Sequence, residues 1–199
     1  MILENFINFN WIGIETLAVI LAVIYLFLAI KENSLCWYFV FLSAAIYIWI
    51  FINSGLYMAS LLNVYYALMS IYGLYQWRKG GDKKLGIPIK CLSSSHHIFI
   101  VISVISLSLI IGYFLESYTD SKLPYLDSFA ALSSIVTTVM VARKILENWL
   151  YWIAIDAVSI YLYLSQDLYQ TAILFVLYMI LSIMGYYEWR KRYLSYNRS

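Results

Sequence analysis

Seven long apolar runs fill most of this chain, and they restrict its possible folds more than any other feature. They lie at about 12–30, 35–52, 56–77, 97–115, 126–142, 148–164 and 168–189. A helix that crosses a bilayer needs about 20 apolar residues, and each run is close to that length. Composition points the same way. The 199 residues are 63% apolar and 12% charged, against about 45–50% and about 25% for an ordinary soluble domain. A water-soluble protein of this size has nowhere to hide that much apolar surface. A soluble enzyme, a nucleic-acid binder and a disordered tail are therefore set aside. Lipid offers no partner to free backbone N–H and C=O groups, so the runs are predicted to be helices. Membrane strands would be shorter and would alternate apolar with polar residues, which these runs do not. The fold class is an all-α integral membrane protein in one membrane domain, residues 1–199.

Basic residues sort the loops into two sides. Lys31, Arg78, Lys79, Lys83, Lys84, Lys90, Arg143, Lys144, Arg190, Lys191, Arg192 and Arg198 fall on one side if there are seven spans, which is 12 of the 13 Lys and Arg residues. Only Lys122 falls on the other. Cytoplasmic loops carry the excess of Lys and Arg, so the N-terminus is expected outside and the C-terminus inside. Removing or adding one span would scramble this sorting. Cys36 and Cys91 then lie near the reducing cytoplasmic face and form no disulfide framework. The N-terminus has no basic region ahead of its apolar run, and that run is long enough to remain a span, so no cleavable signal peptide is expected. The short gaps at Asn53-Ser54-Gly55 and Ser165-Gln166-Asp167 read as hairpin turns.

The chain also contains a second copy of itself. Residues 56–79 (LYMASLLNVYYALMSIYGLYQWRK) align without a gap on 168–191 (LYQTAILFVLYMILSIMGYYEWRK) at a shift of 112, with 12 of 24 positions identical. The shared Gly-x-Tyr-x-Trp-Arg-Lys ending is the most telling part. The same shift sets Trp37 on Trp149 and Glu15 on Asp127. The first three-helix repeat is 11–79 and the second 123–191, with a linker helix at 97–116 between them. Three spans reverse the direction of the chain, so one more span must intervene for both copies to point the same way. The prediction is a parallel 3+1+3 repeat of seven transmembrane helices. Such repeats are a transporter signature, with the substrate site near mid-membrane.

Candidate binding residues come from two places. Tyr66, Ser70, Gly73 and Trp77 share one helix face, and Tyr178, Ser182, Gly185 and Trp189 repeat the pattern. Close helix packing explains the Ser and Gly positions, and an interfacial belt explains the Trp positions. Tyr66 and Tyr178 lie nearer mid-span, where a substrate-facing role competes with packing. Asn63, one turn before Tyr66, is matched by Phe175. An asymmetric substrate needs asymmetric contacts, which makes Asn63 a candidate.

The sixth run, ENWLYWIAIDAVSIYLYL at 147–164, is the more informative. Trp149, Trp152, Asp156, Ser159 and Tyr163 form one stripe on a helix. Asp156 is the one acid near the middle of any run. A central Asp costs roughly 2.5–3.5 kcal/mol on insertion scales, and such residues face the interior or a watery cavity. The competing reading is a hydrogen bond that locks two helices without touching a ligand. Trp149 can equally belong to the interfacial belt; Trp152 lies deeper. Indole faces attract a flat cation by up to about 2 kcal/mol when desolvated, and a carboxylate compensates its charge. The expected ligand is a small, flat organic cation.

Other chemistries lack their residues. There is no phosphate-binding G-x-x-x-x-G-K-[ST] loop and no H-E-x-x-H or Cys/His cluster. Neither an ATP-driven step, a metal, a cofactor nor an enzyme activity is expected. His96 and His97 are adjacent and so do not share a helix face; they read as interfacial. The last run holds no Lys for a retinal Schiff base, and no chain of intramembrane carboxylates suggests proton coupling. The basic loop at 78–90 is explained by orientation rather than by nucleic acid.

Residues 147–191 resemble the signature of the PnuC family of bacterial vitamin transporters: Glu-Asn-Trp-x-x-Trp, an Asp seven residues after the first Trp, a Leu-Tyr-x-Thr-Ala hairpin and a Gly-x-x-x-Trp close. YGLYQWRK at 72–79 resembles the matching part of the first repeat. The likeness runs from about Trp11 to Lys191. It implies an inner-membrane transporter of nicotinamide riboside, with a thiamine-carrying branch as the alternative and riboflavin-like vitamins further off. It also implies the SWEET-like architecture, a homotrimer, no energy source of its own, and facilitated diffusion with trapping by a cytoplasmic vitamin kinase. By position the family motif points to Trp149, Trp152 and Asp156, preceded by Asn148; Asn63, Tyr66 and Tyr178 are added from the repeat. An additional N-terminal helix found in some members is expected to be missing. Two rivals remain: a seven-helix receptor that binds without transport, and a SWEET-type sugar transporter.

Overall fold

A computed structural model describes the backbone of residues 2–54, 57–81, 86–119 and 121–196, and the side chains of these except 2–12, 57, 58 and 196. Gly55, Leu56, Lys83, Lys84 and Arg198 and the Trp11 and Tyr57 side chains, all used in the sequence reading, lie outside the described set. The described residues form seven helices in chain order: α1 (Ile2–Ile30), α2 (Cys36–Asn53), α3 (Tyr57–Lys79), α4 (Ser94–Tyr118), α5 (Pro124–Ala142), α6 (Asn148–Leu164) and α7 (Tyr169–Tyr196). They fall on the seven apolar runs, and the protein is an all-α integral membrane protein. α1 begins well before its run, and α7 continues past its own through the basic residues.

Among the described residues, five helices are long and apolar enough to cross a membrane by length and composition: Gly13–Ile30, α2, α4, α5 and Tyr169–Ser195 within α7. α6 has 17 residues, which at 1.5 Å per residue is about 26 Å, at the short limit for a span. α3 is diluted by its tyrosines, Asn63 and Gln76.

The turns after α1, α5 and α6 are short because each of these helix ends closes on itself. After α1, Glu32 takes the left-handed conformation (φ 56°). Its N–H then donates to Ala29 O at 2.9 Å, and Asn33 N–H donates to Leu28 O at 2.9 Å. That pair of hydrogen bonds is the Schellman ending, which satisfies carbonyls left over at a helix C-terminus. The α5 end repeats it 112 residues later: Lys144 (φ 50°) donates to Val141 O and Ile145 to Met140 O. α6 ends the same way at Asp167 (φ 61°). α5 starts with Pro124, whose missing N–H costs nothing in the first helical turn.

The chain divides into two compact units, Met1–Ile87 and Pro88–Ser199. In the first, α2 packs on α1 and on α3. In the second, α4 packs on α5, α5 on α6 and α6 on α7. The repeat is visible in the local packing of each unit. Trp37 meets Trp77 edge to face at 5.4 Å and 87°, and Trp149 meets Trp189 at 5.4 Å and 88°. Gly73 lies against the Trp37 ring and Gly185 against the Trp149 ring, each so close that a Cβ would overlap the indole. All four indoles are buried. For Trp77, Trp149 and Trp189, where an interfacial belt competed with packing, the structure shows packing against neighbouring helices. Ser70 and Ser182, one turn before the glycines, are each 2% exposed.

One short segment departs from the helical pattern. Residues 88–92 run beside the α5–α6 turn, where Lys90 N–H donates to Lys144 O at 3.0 Å and Leu146 N–H donates to Lys90 O at 2.8 Å. The first unit has no counterpart among the described residues. There Arg78 reaches back instead, donating from Nε to Ser34 Oγ at 3.1 Å and stacking its guanidinium over Tyr38. Leu146 and Leu150 replace Ser34 and Tyr38 in the second copy, so that latch cannot form twice.

Candidate functional site

The stripe on α6 faces inward. Trp149, Asp156 and Ser159 are buried, and Trp152 and Tyr163 are half-buried. The 3.6-residue period brings all five to one side of the helix, and that side packs on α7. Asp156 is 3% exposed. Its described hydrogen bond comes from α7, where Ser182 Oγ–H donates to Oδ2 at 3.3 Å. No cationic side chain pairs with Asp156 among the described residues. A buried carboxyl with one long hydrogen bond and no counter-ion is poorly compensated.

An aromatic wall lies on the same helix pair. Tyr163 of α6 packs on Phe175 of α7 at 5.1 Å, and Phe175 meets Tyr178 edge to face at 5.6 Å. Tyr178 is half-buried. The residue that breaks the repeat, Phe175 in place of an Asn, thus joins two tyrosines into one continuous surface.

Trp149 and Trp152 differ although they stand one turn apart. Trp149 is 1% exposed, with one face on Gly185 and an edge on Trp189. Its Nε1 is buried with no acceptor among the described residues, as is the Nε1 of Trp37 at the matching position. Asn148 is 0% exposed and donates from Nδ2 to Ile145 O at 2.6 Å, while its Oδ1 has no partner among the described residues. Asn63 and Tyr66 belong to the first unit, both half-buried on α3. Asn63 donates from Nδ2 to Ala59 O at 2.9 Å in its own helix, and the Tyr66 ring lies beside Tyr65. Of the sequence candidates, Trp152, Asp156 and Tyr178 thus share one helix pair in the second unit. Asn148 and Trp149 close its basic end.

Two participants escaped the sequence reading. Ser182 has the helical spacing of a packing residue, but its hydroxyl holds the acid. The signal was present: the 112-residue shift sets Ser182 on Ser70 but Asp156 on Ala44, so only one of the two serines has an acid to meet. The second is Glu147, which ties three segments together. Its Oε2 accepts from Leu92 N–H at 3.3 Å and its Oε1 lies 3.9 Å from His97 Nε2. His97 Nδ1 lies 3.0 Å from Tyr151 Oη. His96 points elsewhere, to Ser93 Oγ at 2.6 Å.

An all-helical membrane protein with matched Trp–Trp and Trp–Gly packing in its two units and an uncompensated acid beside aromatic side chains has the form of a carrier for a small organic solute. The comparisons name the family. Residues 12–191 match the family described as nicotinamide mononucleotide transporter, and the chain belongs to that family of PnuC vitamin transporters. It is a multi-pass membrane transporter and not an enzyme. It is 22% identical to the "Nicotinamide riboside transporter PnuC" of Escherichia coli, over 92% of this chain and 86% of the relative. It is 26% identical to the protein of the same name from Neisseria mucosa, over 75% of this chain and 61% of the relative. The "Riboflavin/roseoflavin transporter RibM" of Streptomyces davaonensis is 23% identical over 61% of this chain and 58% of its own length. In fold, the chain is similar to the crystal structure of the vitamin B3 transporter PnuC, with a TM-score of 0.71 at 21% identity, covering 90% of this chain and 81% of the other.

Proposed function

We propose that this chain carries nicotinamide riboside across a bacterial inner membrane by facilitated diffusion, with thiamine as the alternative cargo. The observation that carries this is Asp156, buried at 3% exposure with no counter-ion among the described residues. A buried acid of this kind calls for a cation from outside the chain, and both vitamins are flat cations. The mononucleotide in the family description fits less well, because its phosphate would meet a carboxyl rather than a base. Trp152, Tyr178 and the Tyr163–Phe175 surface offer ring faces for a planar cation. Asn63 and Tyr66 would supply the first repeat's contacts, and Asn148 and Trp149 would hold the start of α6 in place.

The proposed cycle needs no chemistry on the substrate. The two repeats rock about the site and open alternately to each side. A cytoplasmic vitamin kinase then traps the cargo, and the working unit is a homotrimer. In this reading the N-terminus lies outside and the C-terminus inside, an orientation supported by the excess of Lys and Arg in the loops on one side. The relatives named as nicotinamide riboside transporters support the first cargo, and the riboflavin relative supports a site that accepts other flat vitamins.

Proteoliposomes test the proposal. Purified protein should release a preloaded nicotinamide riboside gradient with saturable kinetics, and Asp156→Asn should not. Saturable binding without flux would make the chain a receptor. Flux of thiamine alone would move the assignment to the second cargo, and flux of glucose alone would move it to a sugar.

A further inference from the structure

A half-open cavity of about 300 Å3 lies in the second unit, between α4 and α5 and apart from the Asp156 stripe. Its wall is apolar, built from residues such as Ile100, Ile135, Val139 and Met140, except for His96 and Arg143. Those two share one end of the cavity. His96 lies in the first turn of α4 and Arg143 directly follows α5, and antiparallel neighbours place these ends side by side. From Arg143 to Ile135 the wall runs eight residues along α5, roughly 12 Å by helix rise. That is most of the ~15 Å hydrocarbon depth of one leaflet.

The surroundings are lipid-like. Beside the cavity α4 presents Phe99, Ile102 and Ile105, each well exposed, the last of them at 46%. A long apolar slot with one basic mouth calls for an amphipathic, anionic occupant. An acyl chain with an anionic headgroup is one. We propose that this cavity is a binding site for one anionic phospholipid, its tail along α5 and its phosphate at Arg143. His96 helps at the mouth: its Nδ1 is engaged by Ser93 Oγ at 2.6 Å, which leaves Nε2 for a phosphate oxygen. Basic pockets between helices at a membrane face recognise lipid headgroups through this charge complementarity. The site lies beside the α5–α6 turn and can brace the start of α6 without touching the substrate.

Native mass spectrometry of the purified protein tests this with phosphatidylglycerol and phosphatidylcholine carrying the same acyl chains. The expected result is one phosphatidylglycerol retained per chain at concentrations where phosphatidylcholine is at least tenfold less bound. Arg143→Gln should erase that preference, and because Arg143 is exposed the variant is expected to fold. Val139→Phe should fill the slot and lower retention of both lipids. Millimolar inorganic phosphate should not displace the lipid. Equal retention of the two lipids, an unchanged preference in Arg143→Gln, or displacement by free phosphate would each overturn the proposal.

Discussion

Ser182 Oγ donates to Asp156 Oδ2 at 3.3 Å across the α6–α7 contact, while its counterpart Ser70 donates to Ala67 O at 2.6 Å within its own helix. The difference has one cause: Ala44 stands in the first repeat where Asp156 stands in the second. The two matched serines thus part at the one position of this contact where the repeat places an acid in one copy and an alanine in the other. If that acid meets a cationic substrate, Asp156→Asn loses the charge but keeps a side chain of the same shape. Calorimetric titration with nicotinamide riboside should show affinity falling at least tenfold, with the melting temperature unchanged or raised. Ser182→Ala should cost less, about 1 kcal/mol, the usual value of one hydrogen bond. Equal affinity of wild type and Asp156→Asn would return Asp156 to the reading of a helix lock.

The two tryptophans of α6 should separate in their effects. Trp149 is sealed between Gly185 and Trp189, whereas Trp152 is half-buried one turn deeper. Trp149→Ala empties a packed core, so it should lower stability by about 3–5 kcal/mol. Trp152→Ala should fold and lose about 1–2 kcal/mol of vitamin binding, the range for a desolvated cation on an aromatic face. Thermal melts and titrations on both variants check this. A Trp152→Ala variant that binds normally would remove Trp152 from the site.

Gly73 and Gly185 carry the same strain test twice. A Cβ at either overlaps the indole of Trp37 or Trp149, and those rings are held in place by Trp77 and Trp189. Gly73→Ala and Gly185→Ala should each destabilise by roughly 1–3 kcal/mol, the range for overpacking a filled core. Similar drops in melting temperature are expected from the two. A drop at one position alone would mean that the matched packing is not matched in energy.

The sequence exposed the helices because lipid punishes any other backbone, and each of α1–α7 therefore covers one apolar run, with α1 and α7 extending beyond theirs. It exposed the repeat because matched packing needs matched small residues: Gly73 with Trp37, Gly185 with Trp149. It marked Asp156 through its cost. It could not separate Trp149 from Trp152, since both obey the same helical period and differ only in what α7 places opposite them. The contact of Lys90 with Ile145 was likewise hidden. A lone bridge between residues so far apart in the chain leaves no periodic trace. Nor do Glu32, Lys144 and Asp167 advertise their left-handed conformation, which glycine usually takes because other residues are penalised by about 1–2 kcal/mol. At the α5–α6 turn, tertiary bonds to residues 88–92 help to hold a lysine there.

The proposed orientation can be read from the two native cysteines. Cys36 is 0% exposed, and Cys91, in the segment between α3 and α4, is exposed. Only Cys91 should react with a membrane-impermeant maleimide. With the basic side in the cytoplasm, intact cells should show no labelling and inverted vesicles should show it, and Cys91→Ser should abolish the signal. The reaction should also depend steeply on pH. Although exposed, the Cys91 sulfur is held above its ordinary pKa, chiefly by local desolvation and further by the neighbouring Glu147 carboxylate. The thiolate is the reactive form, so a raised pKa means little of it at neutral pH, and the labelling rate should keep rising through the alkaline range. Glu147→Gln removes the negative neighbour and should speed the reaction at a given pH. Labelling of Cys91 in intact cells would place the basic loops outside and reverse the topology.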